Sequence, residues 1–269
     1  MRTLSVALRL LCATVICVVC PRVPAQSARS LSEKSFSGNW DESKAAEIAL
    51  QISRSWQAPL DHPRDSAGKP LQRNVYAFLP FDKSGVTRWL VLVAQSPADF
   101  TCHACAPVTG GVIFTRKDKK KDDKDSVFDA DHDQANITNL GAFGKPPQAH
   151  VQQLGDNRPA IAFEMNSMAQ GYQATTLILI TEVEGKLTKV LSLQTFASNE
   201  AAALPDDQTF KWQAALEFVP GSNPEYSDIR VKSTGTREIA DGPDAGKVRP
   251  HSSTALYRFS DGTYKLALK

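Results

Sequence analysis

Cys102 and Cys105, three residues apart in the stretch TCHACAP, are the pair whose type and spacing could most directly do chemistry. A C-x-x-C pair can be a redox couple, half of a metal site, a haem anchor or a local disulfide. Haem attachment requires a histidine directly after the second cysteine. Here that residue is Ala106, and His103 lies inside the pair. Tetrahedral zinc needs about four ligands, and the chain holds no second C-x-x-C to complete them. Copper(I) accepts fewer soft ligands, so metal capture by Cys102 and Cys105 with His103 as a neighbour stays open.

A thioredoxin-like couple places its first cysteine at a helix N-terminus, where the dipole and a neighbouring cation stabilise the thiolate. His103 could act as that cation, but Ala106-Pro107-Val108-Thr109-Gly110-Gly111 propagates a helix poorly. A local disulfide in an oxidising compartment fits the neighbours best. Closing so short a loop contributes only about 2 kcal/mol, too little to hold a domain together but enough to shape one turn.

Asp129, Asp131 and Asp133 form D-x-D-x-D, the opening of a calcium loop in which alternate oxygens converge on a hard cation. An EF-hand would continue with glycine and end on a bidentate glutamate. Gln134 and Leu140 occupy those positions, so the EF-hand reading fails. What remains is a calcium site of another kind or a solvated acidic turn. The five histidines, His62, His103, His132, His150 and His251, have no metal-like spacing. The nucleophile elbow, the H-E-x-x-H helix, the phosphate loop and the dinucleotide fingerprint are all absent. Catalytic residues therefore stay unknown, no cofactor is expected, and calcium or copper are the two ions left open.

The elements around these residues read as β. Asn39 and Glu42 resemble a capping box, and Ala45, Ile48, Ala49, Ile52 and Trp56 share one face of an amphipathic helix over residues 41–57. Residues 58–73 read as a loop. From Asn74 onward, β-branched and aromatic runs alternate with the turns Asp82-Lys83-Ser84-Gly85, Gly155-Asp156-Asn157, Glu184-Gly185 and Asp261-Gly262. Roughly ten strands in antiparallel sheets with one N-terminal amphipathic helix give a mainly β fold, all-β or α+β. The aromatics Tyr172, Trp212, Phe218, Tyr226, Tyr257, Phe259 and Tyr264 read as sheet packing. Phe78, Phe81, Trp89 and Phe114 read as apolar support for the cysteine region. The charged run Arg116 to Asp125, with alternating signs and no aromatics, reads as a solvated loop.

Arg2 and Arg9, the apolar run Leu10 to Val19 and the small residues of Val23-Pro24-Ala25 describe a signal peptide over residues 1–25. Ile16 and Val19 are bulky where a lipid-attachment signal carries a small residue, so the chain does not read as a lipoprotein. Residues 26–38 read as a flexible mature N-terminus, and residues 39–269 as a single exported β-rich domain. Cleavage would remove three arginines and no acids, turning 31 basic against 29 acidic residues into 28 against 29. A near-neutral chain points away from nucleic acid, and no membrane span is expected after cleavage. The sequence thus describes an exported protein, periplasmic or extracellular, acting as a non-catalytic binding or envelope-associated module. Its partner would be an unknown ligand or envelope protein. The alternative is a periplasmic thiol-redox or metal-handling protein built on Cys102 and Cys105.

Overall fold

A computed structural model describes residues 34–56, 71–98, 102, 104–117 and 126–267. Glu33–Lys269 form one compact unit. Its first sheet contains β1 (Ser35–Ser37), β2 (Leu71–Lys83), β3 (Val86–Pro97), β4 (Val108–Lys117) and β5 (Val127–Asn139), ordered β1-β5-β4-β3-β2. The second contains β6 (Gln148–Gln153), β7 (Pro159–Ala169), β8 (Tyr172–Val183), β9 (Lys186–Ser198), β10 (Lys211–Asn223), β11 (Tyr226–Glu238), β12 (Val248–Ser260) and β13 (Thr263–Leu266), ordered β13 through β6. Every strand pairing is antiparallel. The helix α1 spans Glu42–Ser53, so the fold is the mainly β one that the sequence implies.

The central strands read as unbroken apolar runs because both of their faces are covered. On β3, Val91 and Val93 pack with α1, whereas Leu90 and Leu92 pack against the second sheet. On β7 and β8, Ile161, Phe163, Ile178 and Ile180 face the first sheet, whereas Ala160, Ala162 and Leu179 face Tyr226, Ile229, Val231 and Tyr264. The second sheet can do this because it bends back on itself. β9 and β10 are paired only through Phe196–Ser198 and Lys211–Gln213, which leaves β10–β13 free to fold over β6–β9. The result is a stack of four layers: α1, the first sheet, β6–β9 and β10–β13. Aromatic packing closes the last interface, with Phe259 stacked on Tyr226 at 3.6 Å and edge-on to Tyr264.

Several boundaries differ from the sequence reading, each for a local reason. The helix is capped by Asp41 rather than Asn39, its carboxylate accepting from the Ser43 and Lys44 amides at 3.0 and 3.1 Å. It ends at Ser53, where the next three residues switch to i→i+3 bonds. Ser35–Ser37, inside the segment expected to be flexible, pairs with β5 and buries Phe36 against Phe128. Leu71 to Arg73, expected in a loop, already belong to β2. At β5 the sequence argues for a turn or loop, because aspartate is a poor strand former. Pairing with β4 and burial of Phe128 and Ile137 override that preference. The residues 1–33, carrying the expected signal peptide, and 57–70 lie outside the described residues.

Four of the two-residue hairpins use one device, and Pro224-Glu225 between β10 and β11 does not. Ser84-Gly85, Gln170-Gly171, Glu184-Gly185 and Asp261-Gly262 all have positive φ at both positions, the geometry whose twist matches that of the flanking strands.

Two-sided burial predicts a sharp contrast along β7. Phe163→Ala, at a fully buried position facing the first sheet, should cost about 3–5 kcal/mol. Met168→Ala, at a position 61% exposed on the same strand, should change stability by less than about 0.5 kcal/mol. Urea denaturation followed by circular dichroism measures both.

Candidate functional site

Cys102 and Cys105 form a disulfide with Cα atoms 5.1 Å apart, inside a turn closed by a 3.0 Å bond from the Cys105 amide to the Cys102 carbonyl. The turn lies between the end of β3 at Pro97 and the start of β4 at Val108, so strand, not helix, follows the second cysteine. Cys102 is exposed and Cys105 is buried. His103, the expected redox or metal neighbour, lies outside the described residues.

The turn has a second task that spacing could not reveal. The chain passes from the first sheet to the second once, through the segment joining β5 to β6. The Phe143 amide donates to the Cys102 carbonyl at 3.1 Å, and the Gly144 amide to the Cys105 carbonyl at 2.8 Å. Ala142 and Lys145 close the crossover loop on itself through a pair of backbone bonds. The disulfide turn is therefore the cradle on which the crossover rests.

The three aspartates do not converge. Asp129 stands opposite Thr115 and binds Lys117 at 2.5 Å. Asp133 points to the other face of the sheet, accepting the Trp56 indole N–H at 2.7 Å beneath α1. The pairing of β4 with β5 skips Asp131, between Phe114↔Ala130 and Ile113↔His132. Such a bulge reverses the side-chain alternation around it. Among the described residues, no three His, Cys, Asp or Glu side chains gather in a way that could hold a metal ion.

A narrow apolar crevice lies between the sheets, lined by Leu79, Phe81, Ile113, Ile161, Ile180 and Leu187, with a free volume of about 40 Å³. That is room for little more than a water molecule, so the crevice is part of the packing. Its mouth is tied shut by side chains. Lys83 reaches from β2 to Glu182 on β8 at 2.6 Å. The Gln134 side-chain amide exchanges bonds of 2.8 and 2.9 Å with the backbone of Leu187. Arg158 carries the tie into the outer layer, donating to the Glu182 carbonyl at 3.0 Å, pairing with Glu225 and lying over the Tyr226 ring.

Partial burial would raise the proton affinity of Glu182. The hydrogen bond and charge of Lys83, with the charges of Arg88 and His132, outweigh it and hold the carboxyl below its usual range.

One Ser–His contact exists among the hydrogen bonds of the described residues: Ser253 Oγ and His251 Nε2 stand 3.2 Å apart on β12. Its surroundings do not suit a general base. Loss of solvation and the charges of Arg237 and Arg249 all lower the proton affinity of His251, and no carboxylate hydrogen bond to its ring occurs among the described residues. A base needs an orienting acceptor and an affinity for protons near the working pH.

The fold and its clip thus define a class: a mainly antiparallel β protein of two sheets, helix-capped, with a disulfide-cradled crossover. No family model and no curated protein matches the chain. No helix among the described residues is long and apolar enough to cross a membrane.

A carboxylate with lowered proton affinity stabilises the fold above its unfolded-state value and loses that contribution as pH falls through the folded one. Wild-type stability should therefore decline below about pH 4.5, the carboxyl's ordinary value. Glu182→Gln should cost on the order of 1 kcal/mol at pH 7 and flatten that decline. Urea midpoints recorded from pH 7 to pH 3 check it.

Proposed function

We propose that this chain is an exported, non-catalytic binding or cell-envelope-associated module in which Cys102–Cys105 is a permanent structural clip. The observation that carries this reading is the engagement of both cysteine carbonyls by the crossover loop. A bond that cradles the passage between two sheets is one the fold gains by keeping closed. The continuation of Cys105 into β4 supports the same view, since exchange catalysts place their reactive thiol at a helix start. Export is supported by the basic and apolar N-terminus with its small residues before Gln26. The cationic surroundings of His251 favour binding over acid–base work.

The test is chemical. Purified protein should show no maleimide labelling of Cys102 or Cys105 without prior reduction, no catalysis of dithiol exchange, and no bound copper or zinc. Replacing both cysteines by serine should keep the circular dichroism spectrum and lower stability by about 2 kcal/mol. Ready reduction at potentials of exchange catalysts, about −120 to −270 mV, or stoichiometric metal after purification, would overturn the reading in favour of redox or metal handling.

A further inference from the structure

The inner face of β10–β12 ends in a group of cations that no carboxylate of the described residues neutralises. Arg237 on β11 stands directly opposite Arg249 on β12. Side chains in such positions are about 5 Å apart at Cβ, and like charges there are destabilising. His251 lies two residues along on the same face, opposite Gly235, which is in turn opposite Trp212. The Arg237 guanidinium sits 3.9 Å from the centre of the buried Trp212 ring, and its Nε is buried with no hydrogen-bond partner. Among the described residues, neither arginine has a carboxylate within ion-pair distance. Glu238, adjacent in sequence, belongs to the opposite face of the strand.

The backbone is shaped to hold this arrangement. Gly235 has φ +132°, and a Cβ there would meet the Lys211 carbonyl oxygen at 2.2 Å and Trp212 Cα at 2.7 Å. Only glycine lets β10 approach closely enough to seat the indole under Arg237. The Arg237 head is thus held by its aromatic platform, a cation–π contact that fixes position without using its N–H donors. Beyond the short span covered by β13, the edge of β12 has no partner strand among the described residues, so the cluster lies beside an open edge.

Two guanidiniums and an imidazole presented together from one face match an anion with three or four oxygens. A single carboxylate would be met by one guanidinium fork. The geometry points to an oxyanion-binding site at Arg237, Arg249 and His251, whose ligand is a phosphate-type tetrahedral oxyanion, free or as a headgroup. This deepens the binding-module reading and rests on it. That reading stands or falls on the thiol and metal assays, which do not involve these residues, so the two can fail separately.

The experiment uses the full chain. Calorimetric titration with sodium phosphate at fixed ionic strength, with chloride as control, tests the free anion. Co-sedimentation with phosphatidylglycerol vesicles against neutral phosphatidylcholine vesicles tests the headgroup. The wild type should bind at least one probe saturably, and the Arg237→Gln/Arg249→Gln pair should weaken that binding at least tenfold. Arg230→Gln, on the outer face and paired with Glu217, should leave it unchanged. Thermal unfolding separates loss of binding from loss of fold. Without phosphate, the double variant should melt close to the wild-type temperature, because the repulsion removed offsets the lost Arg237–Trp212 contact. If free phosphate binds, it should raise the melting point of the wild type only.

Phosphate binding that depends on both arginines identifies a free oxyanion. Vesicle binding with the same dependence and no response to phosphate identifies a headgroup. Absence of both, equal binding by the double variant, or a double variant that melts well below the wild type would overturn the proposal.

Discussion

The constraint on which the structure depends is that its central strands are apolar on both faces and must be covered on both. A sheet with one wet face would alternate apolar and polar residues. β3, β7 and β8 instead carry Leu90 to Val93, Ala160 to Phe163 and Leu177 to Ile180 without a break. Each run demands two partners, and the stack supplies them: α1 and β6–β9 flank the first sheet, while the first sheet and β10–β13 flank β6–β9. The sharp bend between β9 and β10 follows from this demand. A flat second sheet would leave Leu179 and Ala162 against water.

Layers held by apolar contact alone can slide, and polar ties oppose that at the mouth of the crevice. Lys83–Glu182, Gln134–Leu187 and Arg158–Glu225 each join two layers, and they meet around Glu182. Exposed pairs of this kind add little net stability. Their effect is on the placement of the layers, since sliding either sheet by one residue, about 3.3 Å, would take the paired groups out of hydrogen-bond reach. The disulfide turn acts similarly at the single crossover, where two carbonyls fix the direction in which the chain leaves the first sheet.

Much of this was legible in the residues, and the failures have physical causes. Period-2 runs and X-Gly turns located most strands, because those signals are local. The aromatics of β11–β13 were read correctly as packing, with Tyr226, Phe259 and Tyr264 in one cluster. Trp89 and Phe114, read as support for the cysteine turn, pack instead beneath α1, since their neighbours are chosen by the sheet and not by sequence proximity. β5 was missed because Asp129, Asp131 and Asp133 argue locally for a turn, while the forces that make it a strand come from β4 and the helix. The crossover contact to the cysteine turn was invisible, being made by backbone amides that carry no residue signature.

The same limit explains why total charge misleads about partners. A chain with nearly equal numbers of acids and bases gives no reason to expect anion binding, and a number of its exposed charges are paired: Lys211 with Glu200, Arg230 and Lys232 with Glu217, Arg258 with Asp228, Lys265 with Asp261. Arg237 and Arg249 are set opposite each other by the register of β11 and β12, 12 positions apart in sequence, and neither finds a carboxylate among the described residues. Net charge is a sum over the whole surface, whereas recognition depends on which charges the register leaves uncompensated. Here two like charges stand on one strand pair, over a buried indole, beside an open sheet edge.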